Sequence, residues 1–159
     1  MAIDTGKVQG RRKLHFDEYE QILAEAERLA NAKSLKLLGN WSLGKTFHHL
    51  GAAIKLSLDG GKADAPLLAR ILGPLLKNIF INRPMPAGFK LPKKAATELI
   101  AEGDVSTAEG LALLREQLAR IKTATTLHPH PAFGRMSPDQ YRKLHCRHAE
   151  LHMSFYVPE

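Results

Sequence analysis

The stretch Leu144-His145-Cys146-Arg147-His148-Ala149-Glu150-Leu151-His152 decides how this chain is read. It follows Ser137-Pro138-Asp139-Gln140, which supplies an N-cap, a proline at the first helical position and a glutamine at the third, so the histidines are expected on a helix. On a helix each residue turns by about 100°, so His148 and His152 lie about 40° apart on one face, one turn above the other. Two imidazoles then reach one small cation, and neutral imidazole is the commonest metal ligand. His145 falls about 60° to the same side of His148, as a third ligand, an outer partner or a rim residue. Tyr141, Leu144, Leu151 and Phe155 bracket His148, so it points toward a core. A buried imidazole needs partners for both ring nitrogens, and a metal supplies one. The competing reading is a core histidine bonded to a carbonyl or hydroxyl.

The run is not the zinc-protease helix H-E-x-x-H, because Glu150 sits two residues after His148, about 200° round the helix. Glu150 is expected to be a solvated partner of Arg147. Cys146, the single cysteine, lies about 160° from His148 and reads as incidental. With no second cysteine there is no internal disulfide, which agrees with a reducing compartment.

Upstream, Phe16 to about Leu38 has helical spacing, with Tyr19, Ile22, Leu23, Ala26 and Leu29 inward. Ser42 is the expected N-cap of a second helix ending at Leu58, before Asp59-Gly60-Gly61. That helix is apolar on two sides and therefore central. A third helical stretch covers Ala65 to Ile81, with a bend expected at Gly73-Pro74. Asn82 to Pro92 reads as an extended crossover. Ser106-x-x-Glu109 is a capping box opening a helix to about Lys122, and His128 to Gly134 is an irregular loop. No strand-length alternation is visible. The expectation is an all-α protein: a four-helix bundle with a long crossover carrying an accessory helix. Residues 1–13 form a flexible or surface-draped arm, and residues 14–159 a single helical-bundle domain.

A third ligand is best sought on the second helix, at His48-His49, which point about 100° apart. His49 shares its side with Ala52, Ala53 and Leu56, small enough to leave room for an ion; His48 is the alternative.

Trp41-Ser42, then His48-His49-Leu50, then His148-x-x-x-His152, resembles the DinB/YfiT-like superfamily of four-helix metal-binding proteins. Gly39-Asn40-Trp41-Ser42, His130-Pro131-Ala132-Phe133-Gly134 and Arg147 to Phe155 resemble more particularly a subgroup catalogued as a domain of unknown function. The resemblance implies a divalent metal (Zn, Ni, Fe or Mn) held by His49, His148 and His152, completed by water or substrate. It also implies small-molecule chemistry, since some relatives are transferases or isomerases using a low-molecular-weight thiol and others are hydrolases. His130, just before the histidine helix, either reaches the site mouth or braces its turn; His128 has no assigned role.

Three functions follow as expectations. The first is a metal-dependent enzyme, a thiol-dependent transferase or hydrolase of a small molecule. The chain offers no activated nucleophile of its own, so water or a thiol cosubstrate would attack, with His145 the candidate proton shuttle. The second is a non-catalytic metal-stabilised binding protein, and the third a nucleic-acid-binding module. The chain has 23 basic and 16 acidic residues, a net charge of +7, but the excess is dispersed from Lys7, Arg11, Arg12 and Lys13 through Lys90, Lys93 and Lys94 to Arg142, Lys143 and Arg147. Solubility and attraction to small anions are its expected meaning, with no specific nucleic acid bound. No apolar run approaches the ~20 residues that span a bilayer, and the start lacks a signal-peptide core, so a cytoplasmic location is expected. A homodimer is left open.

Overall fold

Serine hydroxyls open three of the helices, as the capping patterns require. The computed structural model describes residues 2–62, 65–89 and 93–159. Among these residues it contains α1 (Tyr19–Ala30), α2 (Leu43–Asp59), α3 (Leu67–Asn82), α4 (Lys93–Leu99), α5 (Thr107–Thr123) and α6 (Pro138–Met153). Ser42 Oγ accepts from Lys45 N, Ser106 Oγ from Glu109 N and Ser137 Oγ from Gln140 N. In the last two, the third residue's carboxylate or amide accepts in return from the cap's own N–H. The chain is mostly helical, as expected for an all-α protein.

Two elements depart from the sequence reading. The first helix stops at Ala30, and Leu35–Leu37 forms a strand, β1, paired antiparallel with a second strand, β2 (Tyr156–Pro158), with Leu37 opposite Tyr156. The helical spacing around residue 35 is overridden by a partner more than a hundred residues away, which no local pattern shows. Tyr156 then anchors the sheet: its hydroxyl donates to the Trp41 carbonyl at 2.8 Å and meets Thr46 Oγ1 at 2.6 Å. The second departure is α4, so the connection from α2 to α5 carries two helices and not one. Lys90 and Pro92, read as part of the crossover, lie outside the described residues.

One core joins α1, α2, α5 and α6. Ile22, Ala26 and Leu29 meet Phe47, Leu50 and Ile54, closed by Leu114, Leu118, Ala149 and Met153. Burial of this kind contributes about 25 cal/mol per Å² of apolar surface. The α2–α5 crossing is set by glycine: a Cβ on Gly110 would stand 2.2 Å from the Gly44 carbonyl oxygen, so the backbones touch where side chains would hold them apart. A smaller cluster of Ile81, Tyr141 and Leu144 ties α3 to α6. The α3 helix continues through Pro74. Its Gly73 lies against the Ala132 carbonyl, 2.0 Å from where a Cβ would stand.

The N-terminal segment drapes over this framework. Ile3 and Asn40 exchange two hydrogen bonds, and Arg12 reaches Glu25 at 2.6 Å and the Met153 carbonyl at 3.0 Å. No helix among the described residues is long and apolar enough to cross a membrane.

Candidate metal centre

His49 sits in the second turn of α2, on the face turned toward α6, and is 2 % exposed. Its Nδ1–H donates to the Leu99 carbonyl at 3.0 Å. A carbonyl can only accept, so the ring proton is held on Nδ1 and Nε2 is left as a bare lone pair. That lone pair faces His148 Nε2 at 3.1 Å. His152, one turn further along α6, completes the group: all three histidines offer ring nitrogens within 4.8 Å of one another. The three rings meet edge to face, with centroids 4.7 to 4.9 Å apart and interplanar angles of 64° to 80°.

The donor set suits a metal. Nitrogens at about 2.0–2.1 Å from a tetrahedral ion stand roughly 3.4 Å apart, near the His49–His148 separation. All three imidazoles are held neutral. Burial pushes His49 down to about 4, and burial followed by the neighbouring rings holds His148 and His152 well below the ordinary imidazole value. An imidazole must be neutral to ligate. His49 is the most deeply buried of the three, with His148 and His152 partly buried.

Trp41 forms a wall of the site. Its indole lies parallel to the His152 ring, 5.4 Å between centroids and 3° between planes, and meets His49 edge-on at 5.0 Å. The sequence reading singled out Trp41 only as a landmark. Leu99 it did not single out at all, and could not have, because the contribution is a backbone carbonyl from an unrecognised helix.

His48 does not join the group, and its buried Nδ1 has no hydrogen-bond partner among the described residues. His145 is buried and stands outside the trio. Its Nε2 lies 3.1 Å from Ser57 Oγ, whose own proton goes to the Ala53 carbonyl, so the imidazole donates. Tyr141 stacks on His145 at 5.8 Å, and burial pushes the imidazole down to about 3. His145 and His148 line one small apolar void with Leu50, Ile54 and Leu114. His130 braces its turn: Nδ1 accepts from Ala132 N and Phe133 N. His128 donates its backbone N–H to the Ser57 carbonyl and accepts from the Tyr141 hydroxyl through its own carbonyl.

Glu150 is not the solvated residue expected. It pairs with Arg147 at 2.5 Å, as expected, but both are buried, and Glu150 Oε1 also accepts from Phe16 N at 2.5 Å. The backbone at Phe16 roofs this face of α6, so the helix is covered on more than one side. Cys146 is buried in the core, where burial pushes its thiol up to about 12.

A family model described as a protein of unknown function, DUF1569, matches residues 8–159. No curated protein and no solved structure matches the chain.

Proposed function

The chain belongs to the DUF1569 family, and for this member we propose a metal-dependent enzyme in which His49, His148 and His152 hold a divalent ion that acts on a small molecule. The observation that carries this reading is the bare Nε2 of His49, fixed by the Leu99 carbonyl and aimed at His148 Nε2 at 3.1 Å. Three neutral nitrogen donors suit zinc, nickel or iron better than magnesium or calcium, which prefer oxygen.

When bound, such an ion supplies Lewis acidity and lowers the pKa of a coordinated water or thiol. The chain's residues do the rest. His49 supplies the most deeply buried ligand, a substrate or thiol would complete the coordination, and Trp41 packs against the rings of His49 and His152. Cys146 is no nucleophile here, being buried and held protonated. A thiol-dependent transferase or a hydrolase are the reaction classes this arrangement serves. His145 acts in this reading as a neutral packing and positioning residue beside His148, held on Ser57 through Nε2; its depressed pKa makes it a poor proton store near neutral pH.

The same reading takes α1, α2, α5 and α6 as a four-helix bundle of the DinB/YfiT-like kind, with α3 and α4 in its long crossover. The ligand order supports it, one histidine on the second long helix and two on the last.

The test is metal analysis of protein purified without an affinity tag, followed by anomalous diffraction at the edge found. About one ion per chain is expected, with occupancy at least tenfold lower in His49→Ala, His148→Ala and His152→Ala. Activity on a panel of esters and electrophiles, with and without small thiols, should vanish on metal removal. Full occupancy in His148→Ala, or full activity in stripped protein, overturns the reading.

A further inference from the structure

The α3 helix carries most of its apolar surface outward. Leu67, Ile71, Leu75 and Ile79 are 70, 60, 77 and 49 % exposed. A second row at the same four-residue spacing, from Leu68 to Phe80, runs beside it at 36 to 67 %. Only Gly73 and Ile81 of this helix are buried within the chain. The two rows leave on the order of 800 Å² of apolar side chain uncovered, which is about what one partner contributes to a standard protein interface, and larger than the few-hundred-Å² patches of ordinary monomers.

We propose that this face is covered by a second copy of the chain, α3 packing on α3 across a two-fold axis. Rows spaced by four residues are the ridges that interdigitate when two helices cross at about −50°, and a helix carrying two such rows is complementary to itself. A two-fold axis lets one patch serve both partners. Charge permits the contact: residues 67–82 contain only Arg70 and Lys77 as charged side chains, and Lys77 Nζ donates to the Arg135 carbonyl at 3.1 Å. The same scarcity of cations argues against an anionic bilayer as the occupant, since helices that lie in a membrane surface present a strongly basic polar face.

Sedimentation and light scattering on the full chain test this. The wild type is expected to be a dimer, and Leu68→Glu/Leu75→Glu a monomer with unchanged helical circular dichroism, since both positions are at least two-thirds exposed. An independent readout is Leu75→Cys, near the middle of the row, which should cross-link between copies under mild oxidation; Leu37→Cys on β1 should not. The single native cysteine is buried and does not compete. A wild type that stays monomeric at its highest soluble concentration overturns the proposal, as does a dimer that survives the double substitution or a Leu75→Cys protein that fails to cross-link. Monomeric protein that binds anionic phospholipid vesicles through this same face would overturn it in favour of a membrane partner.

Discussion

Trp41 lies flat on His152, 5.4 Å between ring centroids and within 3° of parallel. It is the chain's only tryptophan, so the chain's indole emission arises beside a candidate metal ligand. Addition of nickel or another open-shell divalent ion to stripped protein should quench tryptophan fluorescence saturably, at about one equivalent. His152→Ala should abolish the stoichiometric component. Quenching of equal size in His152→Ala would show that the metal binds elsewhere.

His130 and His145 are pushed by burial to about 4 and about 3, from an ordinary value near 6.5. The unfolded chain therefore binds protons that the folded chain refuses, so stability is complete above pH 6.5 and declines as pH falls toward 4. Each such histidine steepens the decline by up to about 1.4 kcal/mol per pH unit. Urea titrations of metal-free protein at pH 7, 6 and 5 should show this slope. His145→Asn should make it shallower by one histidine's share, the depressed His49, His130, His148 and His152 keeping the rest, and an unchanged slope would remove His145 as a buried neutral group.

At the α2–α5 crossing, Gly110→Ala would place a methyl group 2.2 Å from the Gly44 carbonyl oxygen, a backbone atom that cannot rotate away. A loss of about 2–3 kcal/mol is expected, read as a lower denaturation midpoint. Gly103→Ala is the control for space: no atom lies within 4 Å of a Cβ there, and its φ of +77° leaves only backbone strain. It should cost about 1 kcal/mol.

The Arg147–Glu150 pair should be stabilising only as a pair. Glu150→Ala leaves a buried guanidinium facing the Phe16 carbonyl alone and strands Phe16 N–H. The expected loss is about 3–5 kcal/mol, measured by denaturant unfolding. The double variant Arg147→Met/Glu150→Leu should recover most of it, and failure to recover would mean that the hydrogen bonds to Phe16 matter more than the charge.

The sequence by itself determined what rests on neighbours a turn apart. The Ser42, Ser106 and Ser137 starts are local, because a cap and its third residue lie within one turn of each other. The alignment of His148 with His152 is local for the same reason. The break after Leu58 and the apolar stripes of α2 and α5 are equally legible. Tertiary structure alone decided the rest. The small neighbours Ala52, Ala53 and Leu56 already favoured His49 over His48, but only packing supplies the reason its ring is oriented, by bringing the Leu99 carbonyl to Nδ1 and so turning the other lone pair to His148. Packing also converts Leu35–Leu37 from helical spacing to a strand, because the backbone partners are at Tyr156–Pro158. It buries Glu150 under Phe16, and it turns Trp41 from a motif letter into a wall of the site. Each of these depends on atoms far apart in the chain, often on backbone groups that every residue carries, and no spacing rule encodes where those atoms meet.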